Sequence, residues 1–167
     1  MKKVCVAVFL CLILAGCGAK ETFETIPDIY ATEVSAAPVQ RVMLSLPEEA
    51  AVPIMANGDS GSIYMCNGYT VAVQTMQAGD LDRTFRQTTG FASDALTVMQ
   101  TETQGFTRYD CVWTAAGEGE DQICRAAILN DGNYHYAVTV MASASQAGAL
   151  NEQWQNVLDS VTLVSTG

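Results

Sequence analysis

Residues 106–142 read FTRYDCVWTAAGEGEDQICRAAILNDGNYHYAVTVMA, and the turns in this stretch decide the fold. Asp131-Gly132 lies between the segments Asp121–Asn130 and Asn133–Ala142, while the glycine-bearing residues 116–119 separate both from Phe106–Thr114. Short turns of this composition between apolar-rich segments are typical of antiparallel hairpins. We therefore predict three consecutive antiparallel strands.

Two further turns extend this arrangement towards the N-terminus. Gln104-Gly105 adds residues 95–102 as a fourth strand. Asn67-Gly68 joins residues 62–66 to residues 69–76, and it favours a type I′ hairpin because both residues tolerate positive φ. The predicted order is a hairpin followed by a four-stranded meander.

Two helices accompany these strands. The first, residues 80–89, begins at a Gly79-Asp80 cap and ends at Gly90. The second, residues 146–158, places apolar side chains on one stripe, and residues 161–164 form a possible last strand. We expect an α+β fold, with a central antiparallel sheet of about six strands and helices packed on it.

The strand registers follow from the turns. A two-residue Gly117-Glu118 turn would place Asp110 opposite Arg125 and Cys111 opposite Cys124. The first pair has opposite charges, which favours this register by a few tenths of a kcal/mol. The second pair is either a disulfide or two reduced thiols in the core, and the sequence leaves both open.

The N-terminus resembles a bacterial lipoprotein signal. Lys2 and Lys3 precede the apolar residues 4–14, a run too short to cross a bilayer. Leu14-Ala15-Gly16-Cys17 matches the lipobox, in which the cysteine thiol is lipidated after cleavage before it. We expect a signal peptide at 1–16, a lipidated N-terminus with an acidic tether of about 25 Å reach at 17–39, and one globular domain at 40–167. The protein would then lie on the extracytoplasmic face of a membrane, held in the bilayer by acyl chains on Cys17.

Composition excludes one class of partner and leaves few sites for chemistry. After cleavage the chain would carry six basic and 18 acidic residues, a formal net charge of −12. Nucleic-acid binding needs clusters of Lys and Arg, and the sequence contains no such cluster. Cys66, Cys111 and Cys124 would remain, with no zinc spacing. No metal or cofactor is expected.

Three candidate catalytic or metal sites fail on chemistry. Ser60 lies in a Gly-Asp-Ser-Gly segment, but the chain's one histidine, His135, follows it in an order foreign to chymotrypsin-like proteases. The predicted register places His135 opposite Ile128. In that position the His135 imidazole is too far from the Cys124 thiol to form a thiolate pair with it. The acidic residues 118–121 lack the spacing of a calcium loop. We expect no enzyme.

The order of elements resembles that of the PsbP/Mog-type α/β sandwich. Residues 131–141, beginning Asp131-Gly132-Asn133-Tyr134-His135-Tyr136, are similar to the late strand of bacterial lipoproteins in that group, and residues 154–161 to its last helix and strand. The resemblance covers residues 42–164. It implies an adaptor fold, of which one branch binds a small GTPase and another docks on photosystem II, and it transfers no functional residue to this chain.

A set of aromatic residues is the best candidate for a binding face. Its members occur on the predicted strands: Tyr64, Tyr109, Trp113, Tyr134 and Tyr136. Packing within the sheet is the simpler interpretation. The sequence thus favours a membrane-anchored, non-enzymatic binding or adaptor domain with an envelope protein as its partner. The alternatives are an apolar small-ligand binder, an envelope hydrolase with an unrecognised site, and a structural spacer.

Overall fold

Nine strands and three α-helices follow one another in the computed structural model, which describes residues 38–165 except Ala51, Gln104 and the side chain of Asp59. The predicted signal peptide, lipobox and most of the tether lie outside the described residues. The strands are β1 (Arg41–Met43), β2 (Met55–Ala56), β3 (Gly61–Cys66), β4 (Tyr69–Gln77), β5 (Val98–Thr103), β6 (Phe106–Ala115), β7 (Gln122–Asn130), β8 (Tyr134–Ser143) and β9 (Thr162–Val164). The helices are α1 (Leu81–Thr89), α2 (Ala144–Ala147) and α3 (Asn151–Asp159).

Seven of the strands form one antiparallel sheet in the order β2-β3-β4-β8-β7-β6-β5. The predicted hairpin is β3–β4 and the predicted meander is β5–β8, and the two join because β8 pairs with β4. The predicted strand number was too low. Sequence patterns missed β2, which is two residues long, and they missed β1, which pairs with β9 in a separate two-stranded ribbon.

Two of the predicted turns lie where the sequence places them and two do not. Cys66 faces Tyr69 across Asn67-Gly68, and Thr103 faces Phe106. Strands β6 and β7 pair as predicted, but the predicted register was wrong. A six-residue loop joins them, and Trp113 rather than Cys111 faces Cys124. Glycine is required in that loop at Gly117, since a side chain there would collide with the Glu120 carbonyl.

The β7–β8 turn is displaced by one residue from the prediction. Asp131 precedes the turn: its backbone N–H donates to the Tyr134 carbonyl (3.2 Å), and its carboxylate accepts hydrogen bonds from the backbone N–H groups of Asn133 (2.8 Å) and Tyr134 (2.7 Å). Gly132, with φ of 92°, takes the first turn position, so Asn130 rather than Ile128 faces His135. Asp131 therefore acts as a turn acceptor, and this role shifts every pair in the hairpin.

The helices begin and end for local reasons. The Asp80 carboxylate caps α1 by accepting from Asp82 N–H, and Gly90 ends it with φ of 83°. The single helix predicted over 146–158 was wrong, because residues 148–150 form a turn between α2 and α3. Gly148, a poor helix former, lies in that turn.

The central sheet has two apolar faces, each with its own cover. The α3 face packs against Trp154, Val157 and Leu158 of α3 and against the β1–β9 ribbon. The α1 face packs against Phe85 of α1 and includes Trp113. Successive residues of a strand point to opposite faces, so each residue's face follows from its register.

Candidate functional site

A cleft of about 610 Å³ opens on the α3 face, between the segment that leads into β1 and the β3–β4 hairpin. Ser62 and Val73 are directly paired across the hairpin, and Tyr64 and Thr75 extend the same face. The lining combines apolar and polar side chains: Val39, Val42, Leu44 and Val73 among the first, and Gln40, Arg41, Ser62, Tyr64 and Thr75 among the second. Such a lining suits a molecule with an apolar body and a polar end.

A hydrogen-bond network holds one wall of the cleft in place. The Gln40 backbone N–H donates to the Tyr136 hydroxyl (3.0 Å), and its side-chain amide donates to Asp131 Oδ2 (2.9 Å). The Tyr136 hydroxyl itself donates to the same Oδ2 (3.0 Å). These hydrogen bonds join residues that lie 91 and 96 positions apart in the sequence. They fix the chain entering β1 against the β7–β8 turn.

The network also sets the ionisation of its two acids. Burial opposes the charge on Asp131, but the hydrogen bonds donated by Tyr134, Asn133, Tyr136 and Gln40 outweigh it and lower the pKa of that carboxyl. Burial is the main reason that the pKa of Tyr136 rises to about 12. Near neutral pH, Asp131 is therefore ionised and Tyr136 is neutral. Neither group of this wall changes its protonation state there.

The five aromatic residues predicted as a binding face do not share a face. Tyr64, Tyr134 and Tyr136 pack on the α3 face, whereas Tyr109 and Trp113 pack on the α1 face. Tyr136 is fully buried and Trp113 nearly so, which leaves neither ring free for a partner. Of the set, Tyr64 alone is among the residues that line the cleft.

The three cysteines of the described part of the chain are buried and unbridged. Cys111 faces Ala126 and Cys124 faces Trp113, so the two thiols are diagonal neighbours on one sheet face. Diagonal neighbours lie about 7–8 Å apart, beyond the usual Cα separation of a disulfide. Burial raises the pKa of the Cys111 thiol to about 11, so it is a poor nucleophile at neutral pH.

His135 is a satisfied core residue. Its Nδ1 lies 2.6 Å from the Thr84 hydroxyl of α1, and desolvation lowers its pKa. Cys124 faces Met141 while His135 faces Asn130, so thiol and imidazole are six strand positions apart. The predicted register was wrong, and the observed one places these two groups further apart than predicted.

The remaining sequence candidates also have local partners. The Ser60 hydroxyl donates to the Asn57 carbonyl at 2.6 Å. In the acidic loop, the Glu120 carboxylate accepts from the backbone N–H (2.7 Å) and hydroxyl (3.1 Å) of Ser145, at the start of α2. Within residues 38–165, as far as they are described, no group of three or more His, Cys, Asp or Glu side chains is arranged to hold a metal ion.

Sequence reasoning missed most of this site. The chain entering β1 shows no motif, and it is distant in sequence from β3 and β4, which form the other wall of the cleft. A signal did exist for the network, since Asp131 precedes a Gly-Asn turn and Asp side chains often accept from the backbone two residues on. Among the described residues, no helix is long and apolar enough to cross a bilayer.

Comparisons with known proteins identify the fold. The structure resembles that of LpqN, which is involved in cell envelope biogenesis of Mycobacterium tuberculosis, with a TM-score of 0.52 and 11% identity over 77% of this chain and 86% of LpqN. A crystal structure from Bacteroides thetaiotaomicron matches with a TM-score of 0.51 and 10% identity, over 75% of this chain and 46% of that one. The Saccharomyces cerevisiae Ran-binding protein Mog1p matches at 0.48 and 9% identity, over 78% and 98%.

These matches show a shared fold with the first two structures, and the Mog1p match is too low to support an argument. No protein-family model matches the sequence, and no curated protein does. The resemblance to the PsbP/Mog-type group therefore stays a prediction.

Proposed function

We propose that this protein is a lipid-anchored, extracytoplasmic binding protein that holds an apolar or amphiphilic small molecule in the cleft on its α3 face. The observation that carries the proposal is the cleft itself. Its volume of about 610 Å³ lies in the range of known ligand pockets, and one of its walls is fixed by the network of Asp131, Tyr136 and Gln40.

The lining supports a particular kind of molecule. Val42, Leu44 and Val73 offer apolar contact along the cleft, whereas Ser62 and Thr75 supply hydroxyl groups on the β3–β4 side. An apolar chain could lie against the valine and leucine side chains while a polar head contacts the hydroxyl groups. A wholly polar ligand would leave the apolar wall without contacts.

Binding rather than catalysis accounts for the chemistry around the cleft. The nucleophile and base candidates are engaged or buried elsewhere: the Ser60 hydroxyl binds a backbone carbonyl, and His135 is buried on the α1 face against Thr84. A hydrolase needs a nucleophile and a base within about 3 Å of each other, and these residues do not provide such a pair. The aromatic residues predicted as a binding face do not support an adaptor role, because they are divided between the two faces of the sheet.

The location rests on the sequence and on one structural relative. Leu14-Ala15-Gly16-Cys17 supports lipid anchoring through Cys17. LpqN, whose fold is similar, is involved in cell envelope biogenesis, and this supports an envelope role here.

A photo-crosslinking amino acid in place of Thr75 tests the proposal in intact cells that produce the full chain. Thr75 lies on the cleft side of β4, and Gln74 beside it is exposed on the opposite face, so Gln74 is the matched control. After irradiation, mass spectrometry of the protein should show small-molecule adducts for the Thr75 probe but not for the Gln74 probe. Ser62→Tyr, which narrows the cleft, should reduce those adducts.

Two results would contradict the proposal. Equal adducts at Thr75 and Gln74, or none at either, would mean that the cleft holds no ligand. A protein adduct at Thr75 would instead favour the adaptor alternative.

A further inference from the structure

Five consecutive apolar residues lie at one edge of the central sheet. They are residues 52–56, Val-Pro-Ile-Met-Ala, and the large side chains among them are exposed: Val52 by 77%, Ile54 by 61% and Met55 by 62%. Isolated exposed apolar residues are common on protein surfaces. An uninterrupted run of them is unfavourable unless it has a role in binding.

The neighbouring strand widens this surface. Met55 faces Ile63 of β3, and the Ile54 N–H donates to the Ile63 carbonyl at 2.8 Å. Met65 lies two residues further on the same face of β3 and is 53% exposed. We call Met55, Ile63 and Met65 on the α1 face, together with the exposed Val52 and Ile54 that lead into β2, the apolar edge.

The apolar edge is separate from the cleft. Ile63 and Met65 point to the α1 face, whereas Ser62 and Tyr64, which line the cleft, point to the α3 face. The β3–β4 hairpin thus carries two different surfaces on its two sides.

The surroundings of the apolar edge are acidic. Between Arg41 and Arg83 the sequence contains no lysine or arginine. Glu48 and Glu49 are exposed, just before the apolar run. The short helical turn Glu48–Ala50 contacts β3, which places a negative charge beside that strand. Burial raises the pKa of Cys66 at the end of β3, and the Glu49 carboxylate adds to that effect.

We propose that the apolar edge docks an envelope protein whose contact surface is apolar at its centre and lined with lysine or arginine. Charge complementarity selects this occupant. A second copy of this chain would bring Glu48 and Glu49 of one molecule towards an equally acidic surface. Apolar segments that enter membranes are usually accompanied by basic residues that attract anionic lipids, and none occurs between Arg41 and Arg83. Methionine side chains adapt to irregular partners, which suits Met55 and Met65 to the centre of such a contact.

In-cell photo-crosslinking of the full chain tests the docking surface. The photo-crosslinking amino acid replaces Met55 or Met65, and Met99 serves as the matched control because it is a methionine 63% exposed at the opposite edge of the sheet. Both edge positions should capture the same protein and Met99 should not. Peptide mapping should place lysine or arginine next to the captured segment.

A charge reversal provides the second readout. Glu48→Lys combined with Glu49→Lys should reduce the crosslink yield about tenfold, because favourable contacts with the basic rim become repulsive. Reversal of a distant exposed acid, Glu152→Lys, should leave the yield unchanged. Circular dichroism of each variant would establish that the fold is retained.

Several outcomes would overturn the proposal. These are capture of a second copy of the chain, lipid adducts at Met55, an acidic partner segment, equal yields at Met99, or no crosslink at all. Because these probes report protein adducts on the α1 face and the Thr75 probe reports small molecules on the α3 face, failure of one proposal is distinguishable from failure of the other.

Discussion

Replacing Tyr136 with phenylalanine removes one hydroxyl group and leaves the buried ring in place. That hydroxyl accepts from the Gln40 backbone N–H and donates to Asp131 Oδ2, each at 3.0 Å. Tyr136 is fully buried, and phenylalanine fills nearly the same volume. The substitution therefore isolates the two hydrogen bonds that fix the cleft wall.

The magnitude follows from the two bonds. A neutral hydrogen bond contributes about 1 kcal/mol and one to a charged group about 1.5–3 kcal/mol. Both bonds are only partly buried, so water can replace some of what is lost. We expect Tyr136→Phe to lower the free energy of unfolding by about 2 kcal/mol, which for a domain of this size lowers Tm by about 6–10 °C.

Urea unfolding, followed by tryptophan fluorescence, measures this change, because Trp113 and Trp154 are both buried in the folded chain. Tyr134→Phe is the matched control. Its hydroxyl makes no hydrogen bond to any other described residue, and the change should stay below about 0.5 kcal/mol.

A double-mutant cycle with Asp131→Ala tests whether the hydroxyl and the carboxylate act together. The two substitutions should be coupled by about 1 kcal/mol. If Tyr136→Phe costs no more than the Tyr134→Phe control, or if the coupling is absent, the network does not hold the wall and the argument for a preformed cleft fails.

Three other predictions concern the core, the pH response and the anchor. Arg108→Met should destabilise the fold by about 2 kcal/mol, because its guanidinium contacts Asp110 at 2.7 Å and the last turn of α3 at 2.9 Å; exposed Arg83→Met is the control, and equal urea midpoints would contradict the assigned role. Burial lowers the pKa of folded His135, so below about pH 6.5 the unfolded chain binds a proton first and the free energy of unfolding falls. His135→Gln should show a smaller loss between pH 7 and pH 5 in urea titrations, and an unchanged slope would refute this. Cys17→Ala should release the protein from membranes or leave it unprocessed in cell fractionation, and continued lipid labelling would show that the lipobox is misassigned.

The turn residues predicted the order of the main elements well. Asn67-Gly68 has the length that its composition favours, and Asp80 and Gly90 mark the limits of α1. These signals are local, involving a residue and its near neighbours in the chain. They were sufficient for the β3–β4 hairpin, the meander and the first helix.

Registers were less predictable, because they depend on one residue at each turn. The Asp131 carboxylate accepts from the backbone on the far side of the turn, and this moves the pairing of β7 with β8 by two positions. The predicted pairing of Cys111 with Cys124 was wrong for a similar reason. The loop between β6 and β7 is longer than predicted, and it places Ala126 opposite Cys111. Side-chain composition alone does not say which residue of Asp-Gly-Asn takes the first turn position.

The cleft could not be predicted from local patterns. Its walls come from the chain entering β1 and from β3 and β4, and the residue that fixes the first wall, Tyr136, is about a hundred positions away. Strand β1 is three residues long, too short for a periodic signal, and it is stabilised by β9 from the other end of the domain.

The pairing of β1 with β9, in which Arg41 faces Val164, has a mechanical consequence. If the chain is held at Cys17 and a partner pulls on the apolar edge, the tension passes through the β1 segment before it reaches the seven-stranded sheet at β2. The first elements under load are then a three-residue ribbon and the hydrogen bonds from Gln40 to Asp131 and Tyr136. These would yield before the central sheet, and their rupture would open one wall of the cleft while the rest of the fold remained intact. Pulling force would in that case act as a release signal for whatever the cleft holds.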